Sequence, residues 1–283
     1  MKIKDEAVGG LSAGIVGTVI GFPLDLIKTR MQTTRIAKDK GILSIGSSIA
    51  RKEGVFALYK GVVPPLVSLS ILNTLNFSSY SIFREYYNAR HGWDVRNALA
   101  GMTVGPFGGL ISSMEGTIKT QMQVDNVSRK RFRNSLHCFT TLVKENGILV
   151  LYNGHVVNTV RECLFLGTYF YTYEGVRELL VHGYDVDARI GVPFSGGIAG
   201  AFSWFVSFPL DCIRAGVQGQ VMGPNMKKGY HVAVDLWKTK GIAGLYAGVS
   251  PSIARAFLVS GSRFSAYEFA LWMLKKSRDA AEI

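Results

Sequence analysis

Arg161 and Glu162 stand side by side in an otherwise apolar stretch, and Arg255 interrupts a second one. Charged groups at apolar depth are costly unless they meet water, a partner or a ligand. Two guanidinium groups in one cavity repel each other and need an anion, which each can grip through a planar fork of donors. Arg255 is the principal candidate for holding a carboxylate, with Arg161 near it. Glu162 adds the opposite sign and suits an ammonium or quaternary ammonium. Together they describe a site for a zwitterion or a cationic amino acid. The alternative is that Arg161 and Glu162 form structural pairs with neighbouring helices. Phe165 and Tyr169, further along the same face, offer a cation-π surface or ordinary packing.

These residues sit at equal distances from recurring landmarks. Arg161 and Arg255 each lie seven residues after a glycine, Gly154 and Gly248, and the same step from Gly61 reaches Ser68. Ser68 is small and neutral, with no charge to exclude a long side chain. Each landmark glycine closes an aromatic-x-Gly string beginning at Tyr59, Tyr152 or Tyr246. Ahead of two of the strings runs a proline, an acid, a base and a glutamine at fixed offsets: Pro23, Asp25, Lys28 and Gln32, then Pro209, Asp211, Arg214 and Gln218. The middle copy keeps Lys119 and Gln123, but Met114 and Gly116 occupy the proline and acid positions. Its nearby acid, Glu115, comes one residue early, and a local bulge would be needed to bring it into register. Such spacing marks one supersecondary unit used three times, approximately 1–92, 93–186 and 187–283, within a single domain 1–283.

The elements that position these residues follow from composition. The chain has 283 residues, 48% hydrophobic and 18% charged, and its mean hydropathy is positive. That points to an all-α membrane protein, with spans expected at 9–27, 62–82, 97–118, 155–173, 190–210 and 249–274. Polar interruptions such as Asn73, Asn76 and Arg263 fit helices with one face on water. Glycines in the odd spans, including Gly21, Gly101, Gly105, Gly109, Gly196, Gly197 and Gly200, suit close helix packing. Stretches 42–53, 135–145 and 230–240 read as amphipathic helices lying on the surface.

The net charge of +12 invites a nucleic-acid reading, but loops 28–60, 119–153 and 214–247 hold 19 of the 32 Lys and Arg, against five in 84–96 and 177–189. Such alternation suits six spans with both termini on one side. Cys138, Cys163 and Cys212 show no disulfide or metal-ligand spacing. No nucleophile-base pair, metal cluster or phosphate loop suggests an enzyme.

The threefold strings resemble the mitochondrial carrier family over essentially the whole chain. That resemblance implies alternating-access exchange through a central cavity across the inner mitochondrial membrane, with both termini on the cytosolic (intermembrane-space) side and a monomeric protein. Ser68, Arg161 and Arg255 match the family's three substrate contact points, with Glu162 beside the second. Asp25, Lys28, Lys119, Asp211 and Arg214, with Glu115 as the displaced acid, match its matrix gate; Gln32, Gln123 and Gln218 match the braces beneath it. Tyr80 and Arg84, Tyr173, Glu174 and Arg177, then Tyr267 and Glu268 match the cytoplasmic gate, each tyrosine bracing a bridge. Ser81 and Leu271 replace an acid and a base there, so at most two of its three bridges form. Cardiolipin is the expected bound lipid, at the even-helix N-termini after the landmark glycines. The Arg161–Glu162 and Arg255 pattern looks like the carnitine/acylcarnitine and ornithine branch, although Phe22 stands where carnitine carriers place a histidine. Two alternatives remain: a carboxylate carrier, or a carrier-fold protein without efficient exchange that acts as a proton leak or organising partner.

Overall fold

In the computed structural model, described over residues 3–33, 41–125, 131–223, 226–259, 262 and 273, every regular element is helical. The side chains of 3–11, 13, 33, 67–71, 73, 74, 77 and 189 lie outside this description. In chain order the helices are α1 (Ile3–Thr33), α2 (Ile42–Glu53), α3 (Val63–Tyr86), α4 (Val95–Val124), α5 (Ser135–Asn146), α6 (His155–Glu178), α7 (Ala188–Gln218), α8 (Gly229–Leu245) and α9 (Val249–Val259). Helices α1, α3, α4, α6 and α7 cover the first five expected spans, and α9 opens the sixth. The amphipathic helices α2, α5 and α8 appear where their apolar spacing placed them, with α8 kinked at Gly241.

Among the described residues, α7 over Ile190–Gln218 is the one helix long and apolar enough by itself to cross a bilayer; α8 and α9 qualify together, bent by 45°. Ionisable residues sit inside two of the other long helices. Helix α1 contains Asp25, Lys28 and Arg30, and α6 contains Arg161, Glu162, Glu174 and Arg177. Those groups need a water-lined or partnered face.

Local chemistry sets the helix ends. Asp94 accepts from the Arg96 backbone nitrogen at 2.9 Å and starts α4; Asn134 accepts from that of His137 at 2.8 Å and starts α5. Gly54, Gly147 and Gly241 follow the amphipathic segments with φ of 89°, 78° and 61°, a region that favours glycine. Helix α2 then packs Ile45 and Ile49 on Leu26 and Ile27 of α1, and α5 packs Cys138 and Leu142 on Ile118 and Met122 of α4.

The three units close into a ring through their landmark glycines. A β-carbon on Gly61 would stand 3.3 Å from the Lys119 carbonyl oxygen, one on Gly154 3.1 Å from Val217, and one on Gly248 3.2 Å from the Lys28 carbonyl oxygen. Each unit thus docks on the next, and the third returns to the first. The glycines of α4 pack as expected: a β-carbon on Gly105 would lie 2.6 Å from the Cys163 backbone nitrogen on α6. Those of α7 do not form such a face. Among the described residues, nothing lies within 4 Å of where a β-carbon on Gly200 would stand, and those on Gly196 and Gly197 would meet only side chains, at 3.6 and 3.9 Å.

Candidate functional site

Helices α1, α4 and α7 bring their charged strings together at the end that carries α2, α5 and α8. Lys28 Nζ lies 2.6 Å from Asp211 Oδ2, and Lys119 Nζ 2.7 Å from Asp25 Oδ2. Each bond links two different repeats, so the local i,i+3 pairing is not what forms. All four side chains are at most a fifth exposed. Lys28 also stands 3.9 Å above the Trp204 ring.

The third place in this ring is built differently. Gly116 sits where the acid would be, and the Arg214 guanidinium packs against it: a β-carbon there would be 3.3 Å from Arg214 Nη2. Arg214 Nη1 donates to Asn158 Oδ1 at 2.8 Å. Asn158 is fully buried and held by its own donations to Ser112 Oγ at 2.8 Å and Ser113 Oγ at 3.0 Å. Glu115 lines the adjoining cavity and acts on Arg214 through its charge, while the hydrogen bond that Arg214 makes goes to the neutral amide. The glutamines diverge too. Gln32 donates to Asp211 Oδ2 at 3.0 Å, as a brace should. Gln218 reaches the Ser113 carbonyl at 3.4 Å, and Gln123, 1% exposed, leaves both ends of its amide unbonded among the described residues.

Above the ring is a cavity of about 260 Å³, lined by Arg161, Glu162, Phe165, Trp204 and Arg255 together with the ring's charged residues. Arg161, 5% exposed, pairs with Glu162 and lies 5.7 Å from the Phe165 ring centroid and 5.8 Å from that of Trp204. Adjacent helical positions do not normally face each other, so this pair holds both side chains turned into the cavity. Arg255 departs from expectation. Its Nε lies 2.8 Å from Asp25 Oδ1, an ion-pair distance without hydrogen-bond geometry, so it joins the ring's charges while still lining the cavity. Ser68 lies on α3, with its side chain outside the described set.

At the opposite end, Glu174 gathers the basic groups. Arg84 Nη2 lies 3.5 Å from its carboxylate, Arg177 Nη1 3.8 Å and His91 Nδ1 3.3 Å. Tyr80 does not brace this cluster. Its ring stacks on Phe170 at 3.5 Å and its hydroxyl donates to Asn97 Oδ1 at 3.0 Å, which sinks it into the seam between α3, α4 and α6. Tyr173 stacks on Tyr169 at 6.0 Å. Tyr267 and Glu268 lie outside the described residues.

Three structural contributors escaped the sequence reading. Trp204 shares a helical face with Phe208, Asp211, Ala215 and Gln218, at steps of four, three, four and three, so extending the gate's own periodicity backward would have found it. Asn158 lies one turn before Arg161 and faces the same interior. His91 is in a connecting loop, where no periodic signal applies.

A mitochondrial carrier protein family model matches residues 2–91, 93–184 and 190–278. The chain belongs to the mitochondrial carrier family. Members of this family are transporters, not enzymes, and membership places the chain in a mitochondrial membrane. A mitochondrial arginine transporter of Arabidopsis thaliana is 29% identical, over 98% of this chain and 94% of that protein. A mitochondrial substrate carrier family protein of Dictyostelium discoideum is also 29% identical, over 92% of both. The mitochondrial basic amino acids transporter of Homo sapiens is 26% identical, over 92% of this carrier and 87% of its own length. The cavity between the helices accounts for interior charges such as Arg161 and Glu162, which line it.

Proposed function

We propose that this carrier exchanges a basic amino acid across the inner mitochondrial membrane by alternating access. The observation that carries this reading is the cavity itself, which is closed at one end by Lys28–Asp211 and Lys119–Asp25 and lined by Arg161, Glu162 and Trp204. A basic amino acid presents one carboxylate and two cationic groups. Glu162 answers the α-ammonium, a guanidinium answers the carboxylate, and Trp204 with Phe165 offers ring faces to the cationic side chain. The arginine and basic amino acid relatives support the same substrate class. Phe22, 1% exposed beneath Lys119, replaces the histidine of carnitine carriers and weighs against a carnitine-like solute.

Six spans with both termini on the intermembrane-space side complete the reading, and the ring of Asp25, Lys28, Lys119 and Asp211 is then the matrix gate. Cardiolipin binds at the N-termini of α3, α6 and α9 after Gly61, Gly154 and Gly248, and the working unit is one chain. Substrate binding offsets the separation of one gate while the other forms.

The test is counter-exchange in cardiolipin-containing liposomes preloaded with arginine, lysine, ornithine, neutral amino acids, carnitine, dicarboxylates or nucleotides. Saturable exchange of a basic amino acid, abolished by Glu162→Gln in a protein that still melts cooperatively, supports the reading. Exchange confined to dicarboxylates overturns it in favour of a carboxylate carrier. Exchange of nothing by folded protein overturns it in favour of a non-exchanging membrane protein.

A further inference from the structure

Five basic and four acidic side chains line the cavity. Lys28, Lys119, Arg161 and Arg255 each meet a carboxylate within 2.8 Å or closer. Arg214 has no carboxylate within ion-pair distance among the described residues; its Nη1 goes to the neutral Asn158, and its Nε is buried without a hydrogen-bond partner. Arg161 and Arg255 likewise have a buried Nε with no hydrogen-bond partner among the described residues, and the Arg161 and Arg214 guanidinium groups are close enough for their charges to oppose each other. Arg214 packs on the glycine that replaces an acid, Gly116, with the Gln218 amide oxygen beside it. A partly buried guanidinium facing another one, with donors unused, is unfavourable until an anion arrives.

We propose that the carboxylate of the transported amino acid docks between Arg161 and Arg214, on the cavity side of Gly116, so that the substrate itself supplies the acid that ion-pairs with Arg214 in the gate. This rests on the basic amino acid reading and sharpens it. The two other bridges can close without cargo, but Arg214, on which Asp211, Glu162 and Glu115 act only through their charge, gains a direct ion pair when a carboxylate arrives. Asn158, fixed by Ser112 and Ser113, holds the Arg214 fork toward the cavity rather than letting it fold back. Arg255, in contrast to Arg214, already stands within ion-pair distance of a carboxylate, Asp25 Oδ1 at 2.8 Å. A ligand with the same cationic side chain but no carboxylate leaves the buried charge unanswered when the ring separates.

The experiment compares arginine with agmatine, its decarboxylated analogue, in exchange assays and in thermal melts of purified protein, in chloride and in gluconate buffers. Arginine should compete and stabilise at least about tenfold more effectively than agmatine, the worth of one charge-assisted hydrogen bond, and chloride should make no difference. Gly116→Asp builds the missing acid into the chain. It should raise the melting temperature without ligand and erase arginine's advantage over agmatine. Arg214→Gln should also erase that advantage while Arg255→Gln keeps it. Equal competition by arginine and agmatine in a protein that exchanges arginine overturns this inference and leaves the transport reading standing. Arginine binding that falls in gluconate assigns the place to chloride, and overturns it as well. Neither exchange nor stabilisation by any basic amino acid removes both.

Discussion

Asp25→Asn is the substitution whose consequence the ring geometry defines most sharply. The Asp25 carboxylate serves two cations from two other helices, Lys119 at 2.7 Å and Arg255 at 2.8 Å. Removing one member of a buried ion pair costs about 3–5 kcal/mol, because the other charge is stranded. Here the stranded partners are 20% and 23% exposed, so water answers part of the freed charge. A loss of about 2–3 kcal/mol remains, or about 4–12 °C in melting temperature for a chain of this size. Lys119→Gln should cost about half as much, since Asp25 keeps Arg255. Adding Lys119→Gln to Asp25→Asn should recover part of the loss, since one of the two stranded cations is removed. A thiol-reactive fluorogenic dye can follow unfolding, because Cys138 and Cys212 are buried and Cys163 is partly so. An Asp25→Asn protein that melts with the wild type, or a Lys119→Gln protein that falls as far, refutes the shared-carboxylate arrangement.

Gly105→Ala should destabilise by about 1–3 kcal/mol through overpacking against the Cys163 backbone, whereas Gly200→Ala, with open space around it, should be neutral or slightly stabilising in thermal melts. Burial and the Asp125 carboxylate push the Cys138 thiol up to about 12, so Cys138 should resist maleimide between pH 7 and pH 9 until the protein unfolds; stoichiometric labelling of folded protein contradicts this. Backbone donors from Arg90 and Arg96 hold the Asp94 carboxyl below its ordinary value of 3.8. Its contribution to the α4 N-terminus is therefore complete above that value and lost as pH falls below it. Asp94→Ala should make amide exchange at Arg90 and Arg96 fast at neutral pH, and unchanged protection there counts against the cap.

The threefold strings made the architecture legible before any coordinates, because glycines at turns and apolar periodicity in helices act locally. Helix α2 begins and ends where its spacing said, and Asp25, Lys28, Lys119 and Asp211 meet between repeats rather than within them. What could not be read was partner choice among several candidates of one charge. Arg255 shares its cavity with several carboxylates, Asp25 and Glu162 among them, and only packing decides that it lies beside the first. Arg214 shows the same limit from the other side. Its expected acid was visibly displaced in sequence, but the replacement, Asn158, comes from a different helix and carries no charge signal. Tyr80 matched a gate string, although a flat stack on Phe170 turns its hydroxyl to Asn97 instead.

The most direct measurement is uptake of labelled arginine by cardiolipin-containing liposomes, preloaded with unlabelled arginine or left empty. Uptake should be saturable, many times faster into preloaded vesicles, and lost in Glu162→Gln. Equal uptake into loaded and empty vesicles contradicts exchange, and wild-type rates in the variant contradict the cavity as the substrate site.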